Sequence, residues 1–413
     1  MAKARRQNDS TARIESLKVS NFRALQSLEL NDLTPFTALL GPNGSGKTTV
    51  FDVFNFLSEC FQKGLRSAWD SRGRAREIKT RDQNGPVVFE IKYRERKGDP
   101  LMSYHLALDE IKGKVVVEKE WLAWRREGYG KPFRFLEYSR GIGKVASGDL
   151  PDAQDTRIPS PLTSPDLLAV NAIGQMAEHP RVAALRNFIT DWHVSYLSIN
   201  DTRELQDAGP QERLSKSGGN LANVIQYFSE NHPKRLEHIF DRLRERVPRV
   251  GVALSEPQDD GRLLLQIKDA PFARPILARF ASDGTLKLLA YLILLHDAEP
   301  PQFIGIEEPE NFLHPKLLPI LAEECRAAAE SSQVLVTTHS PFFVNAMQPD
   351  EVRVLYRNKR GYTESVRAVD CEGVTEQMEQ GAQLGELWME DFIGAGNPLV
   401  NGGMPRQKRK GAR

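Results

Sequence analysis

Cysteine is scarce in this sequence, and so are long apolar runs. Its 413 residues include three cysteines, Cys60, Cys325 and Cys371. They form no CxxC pair and no even disulfide set, which points away from a stapled secreted scaffold and from a structural zinc site. The longest unbroken apolar run, Leu288 to Leu295, has eight residues, against roughly 18 needed to span a bilayer. The first ten residues are polar and basic, without the apolar core of a signal peptide. There is also little charge of one sign: 56 Lys+Arg oppose 55 Asp+Glu, leaving +1. That balance argues against a uniformly basic nucleic-acid binder. What the chain does have is 40% hydrophobic and 27% charged residues, enough to build a sizeable core and to exclude wholesale disorder. The expectation is a soluble cytoplasmic protein with no membrane partner, long enough for two or three ordinary domains.

The near-zero total hides an uneven distribution. Lys3, Arg5 and Arg6 open the chain, and Arg406, Lys408, Arg409, Lys410 and Arg413 close it. Without those eight, 48 basic side chains face 55 acidic ones, so the body is mildly acidic and its ends are basic. Residues 63–82 carry seven basic and three acidic side chains and read as an exposed loop.

Alternating apolar positions predict short strands within 14–30 and a third over Phe36–Leu40. Beyond a Gly-rich turn, Val50, Val53, Phe54, Leu57 and Phe61 recur at helical spacing. Strand patterns fill 87–145, and a Pro/Asp/Ser-rich linker spans 149–165. Helical periodicity follows to about residue 247. The last third alternates strand and helix, which implies a mainly parallel sheet covered by helices. No tandem repeat or long heptad array is present.

Between the strand 36–40 and the helix after it lies Gly41-Pro42-Asn43-Gly44-Ser45-Gly46-Lys47-Thr48, followed by Thr49. It satisfies GxxxxGK[ST] in the strand–turn–helix setting the motif requires. Glycines let backbone N–H groups close around phosphate, and the helix N-terminus adds partial positive charge. Lys47 would reach the β- and γ-phosphates of ATP, and the Thr48 hydroxyl would ligate Mg²⁺. Phe303-Ile-Gly-Ile306 is a second apolar strand, ending in Glu307 and Glu308. The first acid can face Mg²⁺, and the second can orient and deprotonate the attacking water. A third strand, Val334-Leu-Val-Thr-Thr338, ends at His339, which could hydrogen-bond the γ-phosphate and report its presence.

Together the phosphate loop, FIGIEEPENFLHP and TTHS resemble the ATPase heads of the ABC-type SMC/RecF/OLD-like group, and most of all the bacterial AAA-family ATPases often described as AAA-21. Ala281-Ser282-Asp283-Gly284-Thr285 resembles their shortened signature motif. Asn21-Phe22-Arg23, Asn220-Leu221 and Leu384-Gly-Glu-Leu-Trp388 add to a similarity that runs through most of 12–394. The resemblance implies an α/β fold: an ABC-type P-loop NTPase head, its parallel-containing sheet flanked by helices on both faces, with an antiparallel β subdomain and a helical insertion. It makes Lys47 and Thr48 the phosphate and Mg²⁺ residues of Walker A, Glu307 the metal-facing Walker B acid, Glu308 the catalytic base and His339 the γ-phosphate switch. Glu307 stands where ABC ATPases generally have Asp. Ser282 and Gly284 would act in trans on ATP held by a second copy, which implies at least a homodimer joined through ATP. Physically, Ser282 can cap the helix that follows it. Leu214–Asn220, LSKSGGN, imitates a longer signature but lies far upstream of Glu307, and reads as an N-cap and turn.

Lys47 and Glu307 are 260 residues apart yet must meet at one ion, so the head is expected to be split. Its parts would be 12–148 with Walker A and the β subdomain, 149–248 as the helical insertion, 249–394 with the remaining motifs, and 395–413 as a basic flexible tail. Only 74 residues follow His339, too few for a C-terminal TOPRIM nuclease, so any nuclease or toxin partner should be a separate chain. The resemblance implies an ATP-gated switch over such an effector in bacterial antiphage defence. A RecF-like DNA repair or maintenance clamp, with nucleic acid as a partner, is the alternative.

Overall fold

The structure is a computed structural model and describes residues 11–125, 132–151, 155–248, 250–269, 272 and 274–395. The basic ends lie outside those residues. In chain order the strands are β1 (Arg13–Phe22), β2 (Leu25–Leu30), β3 (Phe36–Leu40), β4 (Val87–Arg94), β5 (Met102–Ile111) and β6 (Lys114–Trp124). Then come β7 (Phe133–Ser139), β8 (Ile142–Val145), β9 (Ile158–Pro159), β10 (His193–Ser195), β11 (Gln206–Asp207) and β12 (Val250–Pro257). The last are β13 (Arg262–Asp269), β14 (Ile276–Leu277), β15 (Phe303–Glu307), β16 (Gln333–Thr338), β17 (Val352–Arg357) and β18 (Thr363–Arg367).

They form three sheets. An antiparallel sheet runs β2-β1-β4-β5-β6-β7-β8-β9, the central sheet runs β10-β15-β16-β3-β17-β18, and β11–β14 make a small third one. In the central sheet β10, β15, β16, β3 and β17 are parallel, and β18 closes the edge antiparallel. Strands buried on both faces need unbroken apolar runs, and β3 (FTALL) is buried at every position.

Side-chain alternation splits the central sheet between two cores. Ala38, Leu40, Ile304, Ile306, Val334 and Val336 pack with the helices Asp283–Leu295 and Leu318–Ala328. Leu39, Phe303, Leu335 and Leu355 face the other way, toward the helix Lys47–Gln62 and the antiparallel sheet. Phe54 of that helix stacks on Phe303 at 4.6 Å between ring centroids. The buried Gln333 amide joins the two sheets: Ile14 N–H donates to its Oε1 at 2.8 Å, and its Nε2 donates to Ile14 O at 2.9 Å.

Some expectations fail for local reasons. Residues 63–82 are not a loop but contain the helices Leu65–Asp70 and Arg74–Ile78. Leu65, Trp69 and Ile78 anchor them in the core, beneath the charges. The stretch 149–248, expected as helical, also supplies β10 to the central sheet, a strand of three residues and so too short to show periodicity. Asn220 precedes the helix Leu221–Asn231 without capping it through its side chain. Its amide instead accepts from Ser215 N–H at 2.7 Å and donates to Arg213 O at 2.9 Å, so LSKSGGN is a tied-down turn.

Candidate nucleotide site

Strand register assembles the site. Thr337 and Thr338 of β16 pair with Leu39 and Leu40 of β3, and Thr337 pairs with Glu307 of β15. The next residues, Gly41, Glu308 and His339, therefore leave three adjacent strand tips together. The carboxyl edge of such a sheet is where α/β proteins bind ligands.

In the loop 41–46, Gly44 and Gly46 have φ of 78° and 105°, a region L side chains avoid. Close packing restricts Gly46 further: an added Cβ would lie 2.3 Å from Thr363 Oγ1. Thr363 in turn donates to Ser45 O at 2.9 Å, and Arg357 Nε donates to Gly44 O at 2.6 Å. The hairpin β17–β18 thus clamps a loop more than 300 residues earlier. Lys47 Nζ folds back onto Gly41 O at 2.8 Å and Pro42 O at 3.2 Å, and it lies 3.8 Å from Glu308 Oε1. Burial pushes this amine below the ordinary lysine range, while Glu308, Glu310 and Glu307 in that order pull it back.

A polyphosphate fits this cradle. The helix Lys47–Gln62 has no side-chain N-cap bond, which leaves its first N–H groups for an anion. Among the described residues the Ser45 hydroxyl is buried and unpartnered, and the Lys47 ammonium is held only by carbonyls and a distant carboxylate. Thr48 is exposed and Thr49 partly so, on the turn after the loop. Magnesium dehydrates reluctantly and is held by few protein oxygens plus phosphate. The Thr48 hydroxyl and Glu307 carboxylate match that demand.

Glu308 departs from ordinary backbone geometry with φ of 43°, a strained conformation for a non-glycine residue. Its N–H donates to Thr337 O at 3.0 Å, which pins the bend to β16. Its Oε1 lies 3.7 Å from His339 Nδ1, so this carboxylate stands between the lysine and the histidine. Glu310, overlooked in the sequence, accepts from Thr338 Oγ1 at 2.9 Å and from His339 N–H at 2.7 Å.

Ser282 caps the helix Asp283–Leu295 as its position predicts, accepting from Thr285 N–H at 3.2 Å. Arg203 ties the turn down by pairing with Asp283 at 2.5 Å and donating to Ala281 O at 2.6 Å. A Cβ on Gly284 would come 2.9 Å from Phe312 O, so the signature helix touches the Walker B loop of its own chain. Ser282 is exposed, and among the described residues no hydrogen bond joins its side chain to its own phosphate loop.

Asn21 and Arg23 explain their part of the sequence pattern. The Asn21 amide accepts from Thr80 N–H at 3.1 Å, and Arg23 pairs with Asp52 of the Lys47–Gln62 helix at 2.9 Å. Arg23 and Thr80 border a recess of about 640 Å³ that also takes in Arg76, Lys79, Arg81, Arg357 and Arg360, with the acids Glu77 and Asp82 among them. Arg357 both lines this recess and holds Gly44, so the recess opens beside the phosphate loop.

The AAA ATPase domain family matches residues 13–237, more than half of the chain. The chain belongs to that family. A second model, an AAA domain described with a type IV TA system and AbiEii toxin, matches residues 188–345. The OLD nuclease of Thermus scotoductus is 41% identical over 54 residues, which are 13% of this chain and 10% of that protein; the match thus spans about a tenth of that relative. Among solved structures, an SMC head bound to the C-winged helix domain of ScpA superposes with a TM-score of 0.54 at 14% identity, covering 86% of this chain and 97% of that one. The Pyrococcus furiosus Smc head, with extended coiled coil and bound to the C-terminal domain of ScpA, gives 0.50 at 12% identity, covering 89% and 100%. These likenesses show the fold, an ABC-type P-loop NTPase head. By its family match this is an AAA-family ATPase, and in fold it is similar to SMC heads. No helix among the described residues is long and apolar enough to cross a membrane.

Proposed function

We propose that this chain hydrolyses ATP and works as an ATP-gated dimerising switch, acting on a separate effector in bacterial antiphage defence. The observation that carries the reading is the meeting of Lys47, Glu308 and His339, from three distant parts of the sequence, with Glu308 less than 4 Å from both partners. Lys47 leaves its two loop carbonyls for the β- and γ-phosphate oxygens. Glu308, held at its strained bend, orients water and takes its proton; His339 senses the γ-phosphate. Thr48 and Glu307 would hold Mg²⁺, whose charge offsets that of the phosphates. Ser282 and Gly284, free of their own phosphate loop, close over ATP on a second copy. In this reading 12–148 and 249–394 are the two halves of the head and 149–248 is inserted between them. The second family model is described with a type IV TA system, which favours a role for this chain in a system of that kind.

Three full-length proteins test this. Wild type should hydrolyse ATP with Mg²⁺, Lys47→Ala should lose nucleotide binding, and Glu308→Gln should bind ATP, dimerise and turn over at least 100-fold more slowly. Turnover by Glu308→Gln at the wild-type rate refutes the base, and no ATP-dependent dimer in that variant refutes the switch.

A second reading, a RecF-like repair or maintenance clamp on DNA, is favoured by the recess that gathers Arg76, Lys79, Arg81, Arg357 and Arg360. It requires duplex binding that weakens steeply with salt; binding that is absent or indifferent to salt rejects it.

A further inference from the structure

Glu310 belongs neither to the phosphate loop nor to the acid pair, yet it touches the histidine more closely than either. After Pro309 the chain turns back on itself, with Asn311 N–H donating to Glu308 O at 3.3 Å and Leu313 N–H to Glu310 O at 3.1 Å. That turn aims the Glu310 side chain at the tip of β16. The side chain is 8% exposed, and its Oε1 lies 3.1 Å from His339 Nδ1 in addition to accepting from the Thr338 hydroxyl and the His339 N–H.

Among the described residues two buried polar atoms here lack hydrogen-bond partners: Glu310 Oε2 and His339 Nδ1. The Nδ1–Oε1 approach is within hydrogen-bonding distance but is not aligned as a bond. The signature helix also carries the buried ammonium of Lys287. Burial pushes that amine down to about 8, and Glu310, then Glu308, are the groups that pull it back up.

We propose that Glu310 is a positioning residue for His339. Its carboxylate takes the Nδ1–H, which fixes the tautomer and the ring plane and leaves Nε2 as the nitrogen presented to the nucleotide. Carboxylates commonly orient working imidazoles in this way, because the hydrogen bond made by one ring nitrogen decides the state of the other. The role rests on the ATPase reading only for its consequence in turnover; the tautomer is a property of the protein without nucleotide.

A merely structural Glu310 would tie off the Thr338 hydroxyl and the His339 backbone and do nothing for the ring. Imidazole ¹H–¹⁵N spectra of the full-length, nucleotide-free protein at about pH 8.5, where an ordinary histidine is neutral, separate the two. His339→Gln assigns the His339 signals. Wild type should show the Nδ1–H form. Glu310→Ala should move to the Nε2–H form that free imidazole side chains prefer, and Glu310→Gln, whose carbonyl still accepts, should keep Nδ1–H. An unchanged tautomer in a folded Glu310→Ala protein, or an Nε2–H wild type, overturns the proposal.

Turnover adds a double-mutant cycle. Glu310→Ala should lower kcat at least tenfold while nucleotide affinity stays within threefold, and should cost less than twofold more when His339 is already alanine. Losses that multiply refute action through His339. If wild type has no ATPase activity, the switch reading falls, and the tautomer decides this proposal alone.

Discussion

Replacing Glu324 by glutamine removes one buried negative charge from the junction of three helices. Glu324, on the helix Leu318–Ala328, is 2% exposed. Its Oε1 accepts from Arg242 at 2.8 Å and Arg246 at 2.7 Å, both on the helix Pro233–Arg246. Its Oε2 meets Nε2 of His296, the residue ending the signature helix, at 2.9 Å. Glutamine has the same shape, so no cavity opens. What is lost is the charge assistance of two arginine bonds. Each bond keeps its ionised donor and loses its ionised acceptor, so it moves from the upper to the lower part of the about 1.5–3 kcal/mol range for bonds to charged groups. That difference is about 1 kcal/mol per arginine or somewhat more, reduced for the one-third-exposed Arg242. The expected loss is about 2 kcal/mol for Glu324→Gln, and about 3 for Glu324→Ala, which takes the buried carboxylate from both guanidiniums and leaves Arg246 the exposed Glu245. Burial raises the Glu324 carboxyl, but the His296 hydrogen bond and charge, together with Arg242, bring it to a net value below the ordinary 4.5. A depressed carboxyl contributes stability that is full above about pH 4.5 and is lost as pH falls through the folded value. Urea unfolding of both proteins at pH 7 and at successively lower pH should show a gap that narrows below pH 4.5. A gap under 0.5 kcal/mol at pH 7, or one that does not narrow in acid, refutes the argument.

Other expectations follow from the same kind of accounting. Gly46→Ala should cost roughly 1–2 kcal/mol for its left-handed backbone and also push Thr363 off Ser45 O, weakening nucleotide binding at least tenfold; adding Thr363→Ala should recover part of that in a nucleotide titration. Lys287→Met should raise stability at neutral pH by on the order of 3 kcal/mol, since burial brings this amine from 10.5 to about 8. The unfolded lysine keeps its proton over that interval, so wild-type stability rises with pH and the gap should close between pH 8 and 10.5 in chemical unfolding. A gap that widens with pH would contradict it.

The phosphate loop could be read from the chain because its chemistry is contiguous: glycines for the turn, a lysine for phosphate and a hydroxyl for the ion fall within eight residues. The acid pair and the histidine could be read because each ends an apolar strand. The helices over 63–82 were hidden because charge dominates their composition, although Leu65 and Trp69, four residues apart, already share one helical face. Glu310, Arg357 and Thr363 escaped for a different reason. Nothing near them in the chain says what they touch, and the partners described above lie 28 to 318 residues away.

Local pattern by itself therefore determined which residues could bind phosphate, carry acid or end a strand. Alternation and period follow from backbone geometry, so those assignments needed no partner. Only the tertiary structure decided which of these groups meet. Parallel pairing of β15, β16 and β3 in one register brings Gly41, Glu308 and His339 to neighbouring tips. A shift of one residue would have turned every side chain of the strand into the opposite core, and that choice was made by two packed hydrophobic cores acting on the whole sheet.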